Sequence, residues 1–87
     1  MSGFEALGSS QLYRSFPTVA ADIDCGTYND EGMPARWVRI GTGGDLVVEG
    51  LDGVEVTIVG LLAGEVHRGG VRIIKAATTA GDLTVYW

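Results

Sequence analysis

The feature that most constrains this chain is the reversal at Leu51-Asp52-Gly53, set between two runs of β-formers, Asp45 to Glu49 and Val54 to Val59. An Asp-Gly pair between alternating apolar runs is the strongest local signal for a β-hairpin. On the first arm Leu46 and Val48 alternate with Val47 and Glu49. On the return arm Val54, Val56 and Ile58 alternate with Glu55, Thr57 and Val59. That is the pattern of a half-buried pair of strands. A single hairpin is not stable in water, so the remaining segments must supply its cover.

They read as further strands. Thr18 to Asp24 is a weak candidate, because Ala and Asp are poor β-formers. Ala35 to Gly41 alternates cleanly, placing Val38 and Ile40 toward a core and Trp37 with Arg39 on the other side. Gly60 to Gly64 is an apolar turn in which Leu61-Leu62 either plug one end of the fold or meet a partner. Glu65 to Arg68 is a short strand broken by Gly69-Gly70, Val71 to Ala76 follows, and Leu83 to Trp87 closes the chain. Six or so short strands at about 10-residue spacing predict an all-β fold: a small antiparallel β-sandwich or barrel, jelly-roll-like. Pro17 divides a single β domain, 17–87, from an extended N-terminal arm, 1–16. The arm is rich in Gly and Ser and carries isolated Phe4, Leu12, Tyr13 and Phe16. It reads as a frayed tail or as a strap that orders against a neighbouring subunit.

A domain of 87 residues buries only about 60% of the surface its unfolded chain exposes. With 46% of its residues hydrophobic, it has apolar surface left over for a partner. Eleven acids against six bases give a net charge of -5, without the broad basic footprint that phosphate backbones require. No apolar run approaches the ~20 residues of a membrane span. The N-terminal residues show no basic start followed by an apolar stretch, which predicts synthesis in the cytoplasm without a signal peptide or anchor.

The residues for catalysis are sparse. Cys25 and His67 are single and lie in separate segments, with no base, second ligand or tuned carboxylate pair beside either. Cys25 reads as a small buried side chain and His67 as a surface residue of its strand. Asp22, Asp24, Asn29, Asp30 and Glu31 invite a calcium reading. Counting from Asp22, however, Thr27 stands where the EF-hand needs Gly and Met33 where it needs Glu. A solvated acidic loop accounts for them. Gly41-Thr42-Gly43-Gly44 leads into a strand, so no helix N-terminus is there to hold a phosphate. The expectation is a protein that is not an enzyme and carries no cofactor or metal.

The contact residues expected from sequence are Trp37 and Arg39, an interface-type pair that could equally pack within its own subunit; Leu61 and Leu62; Tyr86 and the terminal Trp87, which must be docked to avoid fraying; and Phe4, Leu12, Tyr13 and Phe16 of the arm.

The run Pro34-Ala35-Arg36, Ile40-Gly41, Gly44-Asp45-Leu46, Asp52-Gly53, Val56-Thr57, Gly64, then Val71 through Thr78-Thr79-Ala80 into the last strand resembles the small head-spike base proteins of tailed bacteriophages and gene transfer agents. The similarity covers Phe16 to Trp87. Arg68-Gly69-Gly70 departs from the proline and apolar residues expected there. The resemblance implies a virion protein on the capsid exterior that oligomerises with itself, meets the major capsid protein and carries a spike or fibre. A capsid decoration (cement) protein acting as trimers and a stand-alone β-barrel that binds a ligand are the alternatives.

Overall fold

The computed structural model describes residues 13–87. Among these residues it is all-β apart from one 3-10 turn, Cys25–Tyr28. The strands are β1 (Tyr13–Phe16), β2 (Ile23–Asp24), β3 (Ala35–Arg39), β4 (Gly44–Glu49), β5 (Glu55–Leu61), β6 (Val66–Val71), β7 (Ile73–Ile74) and β8 (Leu83–Tyr86). They form two four-stranded antiparallel sheets, with order β1-β8-β3-β6 in the first and β2-β7-β4-β5 in the second. Only β4 and β5 are consecutive neighbours in one sheet; every other connection crosses from one sheet to the other. The hairpin therefore seeds one layer, and the rest of the chain threads back and forth to cover it.

The core lies between the layers. Sheet one contributes Ala35, Val38, Val71, Leu83 and Val85; sheet two contributes Ile23, Leu46, Val48 and Ile74; Ile40, Cys25 and Ala80 fill the ends. Strand alternation dictates this choice. In β3 Val38 is fully buried while Trp37 and Arg39 are exposed, and in β8 Leu83 and Val85 are buried while Thr84 and Tyr86 are partly open.

The hairpin turn is held by Gly50 N donating to Val54 O, Gly53 N donating to Gly50 O, and Val54 N donating to the Asp52 carboxylate. Gly53 has φ +80°, which suits its place in the turn. β5 runs on through Gly60 to Leu61, past the predicted start of the turn. Gly44 pairs with Leu61 and Leu46 with Ile58, so β5 carries an extra residue, a bulge with Gly60 at φ +73°. Asp45 caps it, its Oδ1 accepting from Gly60 N at 3.0 Å.

Asp45 is also where the last loop is fastened. Its carbonyl accepts from Thr79 N and Ala80 N, and its own N–H donates to Thr79 Oγ1 at 2.9 Å. One residue earlier, Thr78 Oγ1 accepts from Val47 N at 3.0 Å and donates to Val47 O at 3.1 Å. This Thr78-Thr79 clip ties sheet two to the segment that leads into β8 of sheet one.

Several boundaries differ from the sequence reading. Tyr13–Phe16, assigned to the arm, pairs along its whole length with β8 of the same chain, so the β domain includes these residues ahead of Pro17. Thr18 to Asp24 shrinks to Ile23–Asp24, in keeping with its poor β-formers. Gly69-Gly70 does not break the sixth strand: β6 spans Val66–Val71, with Gly69 at φ +133° opposite a register shift between Ala35 and Trp37. The strand predicted over Val71 to Ala76 divides instead, Val71 ending β6 and Ile73–Ile74 forming β7 in the other sheet.

Candidate interaction surface

The outward face of sheet one carries a row of side chains that crosses all four strands. Tyr13 is opposite Tyr86, Tyr86 opposite Trp37, and Trp37 opposite Arg68. Directly opposed side chains on one sheet face are neighbours, and here they touch in sequence. The Tyr13 and Tyr86 ring centroids are 6.0 Å apart, those of Tyr86 and Trp37 6.2 Å, and the Arg68 guanidinium sits 5.4 Å from the Trp37 centroid. The rings are tilted by 42° and 57°, a favourable arrangement for aromatic pairs. A second row beside it reads Ser15, Thr84, Arg39, Val66. Neither row contains a carboxylate.

This row is open to solvent, Tyr13 being 68% and Trp37 43% exposed. Tyr, Trp and Arg are the residues most enriched where proteins bind one another. Of the residues expected to make contacts, Tyr13, Trp37, Arg39 and Tyr86 are thus brought onto one face.

The others are distributed differently. Phe4 and Leu12 lie outside the described residues. Leu61 packs against the core while Leu62 is exposed, so the two divide the roles of plug and surface residue. Phe16 and Trp87 pack on their own core. They belong to an end cluster in which Phe16 meets Tyr28 edge-on at 5.2 Å and Tyr28 lies 6.4 Å from Trp87. The Arg14 guanidinium stands 4.8 Å from the Tyr28 ring, a cation–π contact. Trp87 Nε1 donates to Cys25 O at 3.0 Å. The chain end is therefore docked within its own subunit, and the indole N–H already has its partner.

The groups considered for chemistry have structural occupations. Asp22 Oδ1 accepts from Ala76 N at 2.7 Å and Oδ2 faces Lys75 Nζ at 3.4 Å. The hydrogen bond, with help from Lys75, holds the Asp22 carboxyl below its ordinary range. Asp24 caps the 3-10 turn through Gly26 N, and the Asn29 side chain bonds Cys25 O and both backbone groups of Met33. Among the described residues no three His, Cys, Asp or Glu side chains converge to hold a metal ion. Burial pushes the Cys25 thiol up to about 11, the wrong direction for a nucleophile. His67 is not a free surface residue: it lies opposite Val38 on the inward side of β6, half-buried, and desolvation lowers its pKa from 6.5.

Sequence reasoning missed Arg68 and Tyr28. Arg68 stacks on Trp37 only because β6 runs unbroken beside β3, and Tyr28 meets Phe16 and Trp87 only once both chain ends are docked. Compared with protein-family models, curated proteins and solved structures, the chain matches none of them.

Proposed function

We propose that this chain is a non-enzymatic assembly module: a structural protein of a tailed phage or phage-like particle that self-associates on the capsid exterior, as the base of a head spike or fibre. Its partners are further copies of itself, the major capsid protein and the spike it carries. The observation that carries the reading is the solvent-exposed Tyr13-Tyr86-Trp37-Arg68 row. A free globular domain has no use for so much ordered aromatic surface on one face, whereas an interface gains from it. The resemblance to head-spike base proteins supplies the particle context. Several residues that carry it, Asp45, Thr78, Thr79 and Ala80, form the clip that joins the two layers, and Gly44 lets the backbone of Ala80 come close.

Light scattering of the purified protein tests self-association. The expected mass is a multiple of the 9.1 kDa chain, rising with concentration. A monomer at every concentration up to the millimolar range would remove the reading. Quantitative peptide mass spectrometry of particles from a producing cell tests the particle context: tens of copies per particle fit a spike base, hundreds fit a cement protein, and none refutes a virion role.

A further inference from the structure

The opposite outer face of the sandwich carries a second row of matching length and contrary charge. Across sheet two, Asp24 is opposite Ile73, Ile73 opposite Glu49, and Glu49 opposite Glu55. Strands in a sheet lie about 4.8 Å apart, so each four-strand row runs about 14 Å. Glu49 and Glu55 are like charges directly across from one another, a placement that destabilises an isolated sheet. No lysine or arginine forms an ion pair with either among the described residues, where the one ion pair joins Lys75 to Asp22. On the first sheet Arg39 and Arg68 are diagonal neighbours, and among the described residues neither paired row of their face holds an acid.

We infer that the cationic aromatic row of one copy docks on the acidic row of the next, so that self-association is heterologous, face one to face two. This rests on the self-association proposed above and names its two surfaces. Each copy carries a charge of -5, so copies repel one another unless their contact is complementary. Pairing face one with face one offers its arginines no acid in either direction of the row, and pairing face two with face two opposes acids to acids. Only the mixed contact sets Arg39 and Arg68 against Glu49 and Glu55, leaving Trp37 and Tyr86 to cover Ile73. Like surfaces that meet self-complementarily close into a dimer; unlike ones continue into a ring or an open stack.

The test uses two double variants of the full chain, Arg39→Glu/Arg68→Glu and Glu49→Arg/Glu55→Arg. All four positions are exposed or half-exposed, and far-UV circular dichroism checks that each variant folds. Each variant alone sets like charges together across the contact, weakening association about tenfold or more and lowering the mass by light scattering. Mixing the two restores complementarity at every contact between unlike variants, so they assemble in alternation and the mass rises again. Raising the salt to 1 M, where the Debye length is about 3 Å, weakens the wild-type assembly. Should either variant fail to fold, the neutral pair Glu49→Gln/Glu55→Gln replaces it and still weakens association. A wild-type oligomer whose mass survives either reversal, or two variants that stay apart when mixed, overturns the face-to-face contact and leaves self-association standing. A wild-type monomer at all concentrations overturns both.

Discussion

Replacing Thr78 by Val tests whether the clip between the layers is the fastening that the hydrogen bonds indicate. Thr78 is 7% exposed, and its hydroxyl both accepts from Val47 N and donates to Val47 O. Valine keeps the shape and removes the hydroxyl. Val47 O retains a second donor, Lys75 N at 2.8 Å, but Val47 N is left buried without an acceptor. An unsatisfied buried donor costs about 1–3 kcal/mol. For a domain of this size each kcal/mol lowers the melting temperature by about 4–8 °C. A loss of about 2 kcal/mol thus predicts a melting temperature about 8–16 °C lower, with a matching fall in the urea midpoint at unchanged slope. Thr79→Val is the control: its hydroxyl accepts from Asp45 N at an exposed site where water can take over, and less than about 1 kcal/mol should be lost. Both variants are compared at one protein concentration, because association shifts apparent stability. If Thr78→Val is no more damaging than Thr79→Val, the buried clip does not secure the layers.

Other perturbations separate tight backbone contacts from yielding ones. A Cβ at Gly44 would stand 2.7 Å from Ala80 N, so Gly44→Ala must push the backbone apart and should cost about 1–3 kcal/mol in urea unfolding. At Gly70 the three atoms nearest the Cβ all belong to the Leu51 side chain, which is 61% exposed and free to swing away, so Gly70→Ala should cost less than half as much. The buried Cys25 thiol should resist a thiol reagent at pH 8 in the folded protein and react at least a hundredfold faster in denaturant; near-equal rates would contradict its burial. His67 has a folded-state pKa below 6.5, so the unfolded chain binds the extra proton in the window between the two values. Its contribution to stability is intact above pH 6.5 and falls away as the pH drops through that window, and His67→Gln should flatten this part of the stability–pH curve.

What could be read from the sequence was local. The β4–β5 hairpin is written in Asp52-Gly53 and two alternating arms, and the outward placement of Trp37 and Arg39 follows from period-two alternation around Val38. What escaped depended on partners distant along the chain. Gly69-Gly70 looks like a break because the sequence does not reveal that Leu51 leans over Gly70 or that β6 takes up its extra residue as a bulge against β3. Tyr13–Phe16 is too short to announce a strand until β8 lies beside it. The two rows across the outer faces are set by register, and a one-residue slip would scatter them. Phe16 and Trp87 were expected at a subunit contact because large aromatic residues near chain ends need cover; Tyr28 and the Cys25 carbonyl provide it from within.

Fluorescence quenching of Trp37 tests the central claim, that a neighbouring copy covers the exposed row. Trp87→Phe leaves Trp37 as the sole indole, at the loss of one hydrogen bond to Cys25 O. Acrylamide quenching of this variant should fall, and its emission shift to the blue, as protein concentration rises through the range where the mass increases. Quenching that stays constant while the protein associates would show that the row remains in water and that the interface lies elsewhere.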